Sequence, residues 1–202
     1  MHLSLPHLIF AGPPLEAGPF LDRLPSSLTE ALRATNGCVA WRGAFHVRGF
    51  ADAPSWHSLA AATEGGQSFS ALYPAVLPSD LPFAEDAFGD QYLLRDRLVY
   101  RLSAESGEVA ALNLPLDAFF DALLGDPAAT LGFEPSDAVA SVGGQLEPGT
   151  LVNVYPPFIL DTPNSRSYRP VPTIQQRIWL ADLARQIAGL PDGAQIRLDP
   201  VQ

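Results

Sequence analysis

Pro82-Phe83-Ala84-Glu85-Asp86-Ala87-Phe88-Gly89-Asp90-Gln91-Tyr92-Leu93-Leu94-Arg95-Asp96-Arg97-Leu98-Val99-Tyr100-Arg101-Leu102 is an acidic, aromatic loop that runs straight into a two-stranded pattern. Gln91–Leu94 and Leu98–Leu102 are short apolar and aromatic runs of strand length. Asp96-Arg97 between them fits a tight connection, although it lacks the glycine that a primed turn prefers. The spacing predicts a β-hairpin. After the polar connection Ser103–Glu108, the apolar run Val109–Leu112 predicts a third strand and hence a meander.

Upstream, Ser27 with Glu30 three residues on has the form of a capping box, and Leu28, Ala31 and Leu32 share a helical face that Asn36-Gly37 ends. Cys38–Trp41 and Ala44–Val47 read as strands joined through Arg42-Gly43. Ser55 is the expected N-cap of a helix over Trp56–Thr63, and Leu72–Leu77, broken by Pro74, reads as an edge strand or an extended connection. Leu3–Phe10 reads as a strand interrupted by Pro6. Downstream, Asn113 and Pro115 open an amphipathic helix over Leu116–Leu124, and Asp126-Pro127 starts another to about Leu131. Residues 134–149 read as loop-rich, Leu151–Tyr155 as a strand and 162–172 as a loop. The longest helix opens at Thr173. Ile178, Ala181, Leu183, Ala184 and Ile187 are expected to face inward, and Gln175, Gln176, Arg177, Asp182, Arg185 and Gln186 to face water. Ile196–Leu198 reads as a last edge strand.

The order of these elements resembles the SMI1/KNR4, or SUKH, superfamily over residues 24–124. The resemblance is carried by Leu24-Pro25 before the first helix, Asn36-Gly37 after it, Phe83, Phe88-Gly89-Asp90-Gln91-Tyr92, Val99-Tyr100 and the closing helix 116–124. It implies an α+β fold with a single mixed or antiparallel sheet covered by helices, no enzymatic activity and no cofactor. It also implies a protein-binding role, in bacteria usually that of an immunity protein that binds and neutralises a toxin domain. A cytoplasmic location is expected separately, because Met1–Gly18 contains several prolines and no Lys or Arg and so is a weak signal-peptide candidate. A regulatory scaffold is the alternative within binding, and a hydrolase with a non-sequential site is the competing class. Residues 125–202 have no counterpart in the family unit. They are expected to be a C-terminal extension packed on the same core, so that 1–202 is one domain, because no flexible linker precedes them.

Composition sets bounds on function. A chain of 202 residues with 47% apolar content is long enough for a sizeable core, and its 20 prolines and 16 glycines favour short elements over long bundles. All 12 cations are scattered arginines and the net charge is −10, so a phosphate backbone would be repelled and nucleic acid is a poor partner. No apolar run approaches the roughly 20 residues of a membrane span. A lone cysteine, Cys38, forms no intrachain disulfide and reads as a small buried residue at a strand start.

The residues that carry chemistry match no catalytic or metal template. Asp80, Glu85, Asp86 and Asp90 lie close together but lack the alternation, central glycine and terminal glutamate of an EF-hand. The histidines His2, His7, His46 and His57 lack zinc spacing and read as structural or surface residues. There is no G-x-S-x-G elbow, Walker loop or G-x-G-x-x-G motif. No catalytic residue, metal ligand or cofactor site is therefore assigned. The expected partner is a basic protein, met by an acidic face of Glu85, Asp86 and Asp90, whose charge steers encounter, beside Phe88 and Tyr92, which anchor it. Tyr155-Pro156-Pro157-Phe158 reads as an aromatic plug over the core, with a recognition surface as the alternative, and Trp41, Trp56 and Trp179 read as core or interface residues.

Overall fold

In the computed structural model, residues 5–15, 24–162, 165–191 and 193–195 are described. The hairpin expected between Gln91 and Leu102 lies in the middle of the sheet, as β5 (Gln91–Arg95) and β6 (Leu98–Leu102). Asp96 and Arg97 both take positive φ, 49° and 69°. The connection is thus a primed turn made without glycine, whose backbone twist matches that of the strands.

Around it run β1 (Phe10–Ala11), β2 (Cys38–Ala40), β3 (Phe45–Val47), β4 (Leu81–Asp86) and β7 (Val109–Pro115). Among the described residues these form one seven-stranded sheet in the order β1 to β7, each strand antiparallel to the next. The fold is α+β. The helices are α1 (Ser26–Thr35), α2 (Leu59–Thr63), α3 (Phe69–Leu72), α4 (Leu116–Gly125), α5 (Pro127–Leu131), α6 (Pro135–Ala140) and α7 (Thr173–Ile187). A separate hairpin pairs β8 (Thr150–Tyr155) with β9 (Ser167–Pro172).

Alternation along the strands gives the sheet two covered faces. On one, Phe45, Phe83, Tyr92 and Val99 pack under Leu28 and Leu32 of α1 and Phe119, Phe120 and Leu123 of α4. Their rings meet tilted or edge-on, with centroids 5.1 Å apart for Tyr92–Phe119 and 5.8 Å for Phe83–Phe119. Burying each such side chain contributes about 1.5–3 kcal/mol. On the other face, Leu93 and Leu102 meet Phe69, Tyr73 and the small residues Ala181 and Ala184, which let α7 lie close to the strands. A third cluster joins Ala44 and Ala87 to Ala138, Val139, Leu146, Val152 and Val154, and the Val152 N–H donates to the Ala87 carbonyl at 2.7 Å.

Several expectations need correction. Residues 81–86, read as the start of a loop, form β4 in the sheet interior, and Pro82 is accommodated at a register shift between Pro82 and Ala84. Leu151–Tyr155 is a strand but pairs with 167–172 rather than with the large sheet. Pro170 and Pro172 predict a loop for this partner, but an edge strand tolerates both. Helix α2 begins at Leu59 with Ser58 as its cap, its side chain accepting from the Ala61 N–H at 3.2 Å, and Ser55 precedes it. Residues 69–72 form α3, and 135–140 form α6 within the segment read as loop. Strand β1 is confined to Phe10–Ala11. Helix α1 starts at Ser26 with Pro25 in the cap position, so Ser27 lies inside it. The strand expected at 196–198 and His2 lie outside the described residues.

Candidate functional site

Neighbouring strands place His46, Glu85 and Gln91 side by side, because the register pairs His46 with Glu85 and Glu85 with Gln91. Period-two alternation adds Arg48 to the same face, and α7 brings Arg177 over it. Glu85 accepts from Arg48 Nη2 at 2.7 Å and pairs with His46 Nδ1 at 2.8 Å. Arg48 also donates to Gln91 Oε1 at 2.7 Å and to the Pro82 carbonyl at 3.0 Å. Arg177 Nη2 stands 3.8 Å from Glu85, and both guanidiniums lie over the Phe69 ring, at 5.1 Å for Arg48 and 4.4 Å for Arg177. A file of ring nitrogens continues from His46 Nε2 to His57 Nδ1 at 2.9 Å and from His57 Nε2 to the Asn36 carbonyl at 2.9 Å.

Burial would raise the Glu85 pKa, but Arg48, the His46 hydrogen bond and Arg177 outweigh it and hold the carboxylate well below its usual range. Desolvation pushes both imidazole pKa values down, His57 to about 4, while the Glu85 carboxylate opposes the shift at His46. The file from Glu85 through two imidazoles has the outline of a proton relay, yet it ends on a backbone carbonyl, which offers no proton and no nucleophile. Its evident work is to satisfy a buried charge. Among the described residues, no group of three His, Cys, Asp or Glu side chains is arranged to hold a metal ion.

This network corrects two expectations. Gln176 and Arg177 were expected to face water, but both are buried, and Ile178, expected inward, is 43% exposed. Apolar periodicity misplaced only the start of α7, because Glu85 draws Arg177 inward and Asn153 Nδ2 donates to Gln176 Oε1 at 3.0 Å, whereas Ala181, Leu183 and Ala184 are buried as expected. The acidic face is also not assembled at the surface as expected. Glu85 and Asp86 are each 1% exposed and Tyr92 is fully buried. Asp86 accepts from the N–H groups of Phe88, Gly89 and Asp90, and from the Tyr92 hydroxyl at 3.4 Å. Burial, then the nearby Asp90, raises the Asp86 pKa well above the usual carboxylate value. Asp90 is half-buried and held by Arg101 Nε and the Ala104 N–H, each at 2.8 Å.

Phe88 alone of the five leads outward. Its ring meets Phe133 at 4.8 Å and Phe158 at 5.1 Å, both edge-on. Phe158 belongs to the loop after β8, and here the plug expectation is also corrected. Tyr155 is 52%, Phe158 46% and Ile159 44% exposed. The loop is nevertheless firmly held. Glu105, in the turn between β6 and β7, accepts from the Phe158 N–H at 3.1 Å and the Ile159 N–H at 2.7 Å. Arg166 donates to the Leu160 carbonyl at 3.0 Å, and its guanidinium lies 5.4 Å from the Phe158 ring centre.

Beside this loop runs a groove of about 850 Å³, lined by Tyr155–Pro156, 159–162, the end of α7 with 188–191, and Ser106 and Glu108. Comparison of the chain with protein-family models, curated proteins and solved structures finds no match. The chemistry of the groove is what bears on function. It sets the apolar side chains Tyr155, Ile159 and Leu190 beside the carboxylates Glu108 and Asp161, and its described lining contains no arginine or histidine. Exposed aromatics on a pre-ordered loop are suited to holding a protein surface. The Tyr-Pro-Pro-Phe spacing was the signal for this site; its exposure was not legible.

Cys38 opens β2 at 2% exposure, and burial pushes its thiol up to about 11, as a structural cysteine requires. Among the described residues no helix is long and apolar enough to cross a membrane.

Proposed function

We propose that this chain is a non-enzymatic, cytoplasmic protein-binding module of the immunity type, which binds and neutralises a toxin domain. The observation that carries the reading is the Tyr155–Leu160 loop. Its apolar side chains are held in water by Glu105 and Arg166, although a free chain would gain by burying them. Ordering these side chains in advance reduces the entropy lost when a partner covers them. The α+β architecture agrees with what the SUKH resemblance of residues 24–124 implies, and a net charge of −10 suits a cationic partner.

The test is co-expression with the product of the neighbouring reading frame, which is expected to be a toxin domain. Growth protection, together with a complex that survives gel filtration, is the expected result. Loss of both on Tyr155→Ala, with the fold unchanged by circular dichroism, would tie protection to the loop. Protection by turnover of the toxin's product, without a complex, would overturn the reading in favour of an enzyme.

A further inference from the structure

The groove has a chemical polarity that narrows its occupant. Its apolar part is contributed by Tyr155, Ile159 and Leu190, and its charged part by Glu108 and Asp161, which no described cation in the lining neutralises. Elsewhere among the described residues, Asp80 meets Arg95, Glu85 meets Arg48, Asp90 meets Arg101 and Asp182 meets Arg185. Among the described residues no cation is paired with the carboxylates at the groove, which can therefore meet a cation of a partner.

We infer that the groove binds an extended basic segment of a protein partner. An aliphatic or aromatic side chain of that segment sits on Tyr155, Ile159 and Leu190, and flanking arginine or lysine side chains meet Glu108 and Asp161. This rests on the protein-binding reading above and specifies the surface and the partner chemistry. The pattern of the segment is apolar residues alternating with cations, because an extended chain turns successive side chains to opposite sides and lets one row bury while the other reaches the rim. Charge governs encounter and the apolar contacts govern residence.

The experiment uses the full chain and a labelled decapeptide of alternating Arg and Leu, with Glu-Leu and Arg-Ser decapeptides as controls. Binding is followed by fluorescence anisotropy at 50 and 300 mM salt. The Arg-Leu peptide is expected to bind, weakening as salt rises. Glu108→Gln with Asp161→Asn should lower affinity by about tenfold and flatten the salt dependence, and Ile159→Ser should lower it by a similar factor with the salt dependence intact. Amide shifts on titration should centre on 155–162 and 187–191. Equal binding of the Glu-Leu peptide, or undiminished binding by both variants, would overturn the assignment. So would sedimentation showing that the groove is closed by a second copy of the chain and that Ile159→Ser releases it.

The two readings fail separately. A neighbouring toxin bound at full affinity by all groove variants removes the groove and leaves the binding module. Groove-dependent peptide binding without toxin protection leaves the groove and removes the immunity role.

Discussion

Replacing Glu85 by Gln tests the buried network most directly. The substitution keeps shape and removes the one carboxylate among the described residues that pairs with Arg48 and Arg177, both nearly inaccessible to water. Breaking a buried pair by deleting one partner costs about 3–5 kcal/mol, because the remaining charge stays desolvated and unpaired. Two guanidiniums share Glu85, so the upper part of that range applies. At about 2–4 °C per kcal/mol for a chain of this size, a loss of about 4 kcal/mol lowers Tm by about 8–16 °C. Measured against an Arg48→Met, Arg177→Met background, the same substitution should cost under about 1 kcal/mol, since no buried cation then needs the carboxylate. Urea denaturation followed by tryptophan fluorescence, with unchanged m-values, measures both. By contrast, Asp182→Asn on the exposed Arg185 pair should stay within about 0.5 kcal/mol. If Glu85→Gln costs under about 1 kcal/mol, or costs as much without the two arginines as with them, the account of the network is wrong.

Acid sensitivity should follow from the same residues. The folded-state pKa values of His46 and His57 lie below the unfolded value near 6.5, so their contribution is present above about pH 6.5 and is lost as pH falls toward about 4. Each histidine adds a slope of about 1.4 kcal/mol per pH unit, and Glu85, with a depressed pKa, adds a further loss below about pH 4. Urea midpoints that are equal at pH 7 and pH 5 would contradict this. Gly49→Ala should destabilise by about 1–3 kcal/mol or more, because a Cβ there would overlap the Asn36 carbonyl and His57 Nε2; an unchanged thermal midpoint would show that the His57 contact is dispensable. Arg97→Gly should stabilise by about 0.5–1 kcal/mol, since Arg97 holds a left-handed φ of 69° in the hairpin turn. A lower Tm for that variant would mean that the arginine side chain contributes more than its strained backbone costs.

The hairpin at 91–102, the helices near 116–124 and 127–131 and the strand at Cys38 were legible because their signals are local. Period-two and period-3.6 apolar spacing, Asp126 before Pro127 and Gly132 at a left-handed helix end act within a few residues. The hydrophobic effect, read locally, also gives the α+β class. Strand β4 was illegible because Pro82, Glu85 and Asp86 are poor strand residues until the register beside β3 and the approach of α7 supply Arg48 and Arg177. Only the tertiary structure brings these charges together, and with them the orientation of the start of α7, in which Arg177 is buried and Ile178 exposed. The groove shows the same division. Tyr155-Pro156-Pro157-Phe158 marked a place where aromatics gather, but whether they cap the core or meet water depends on Glu105 and Arg166 binding the loop backbone from other elements. Local sequence sets what a segment prefers, and long-range pairing of buried charges and backbone groups decides which side of it faces the solvent.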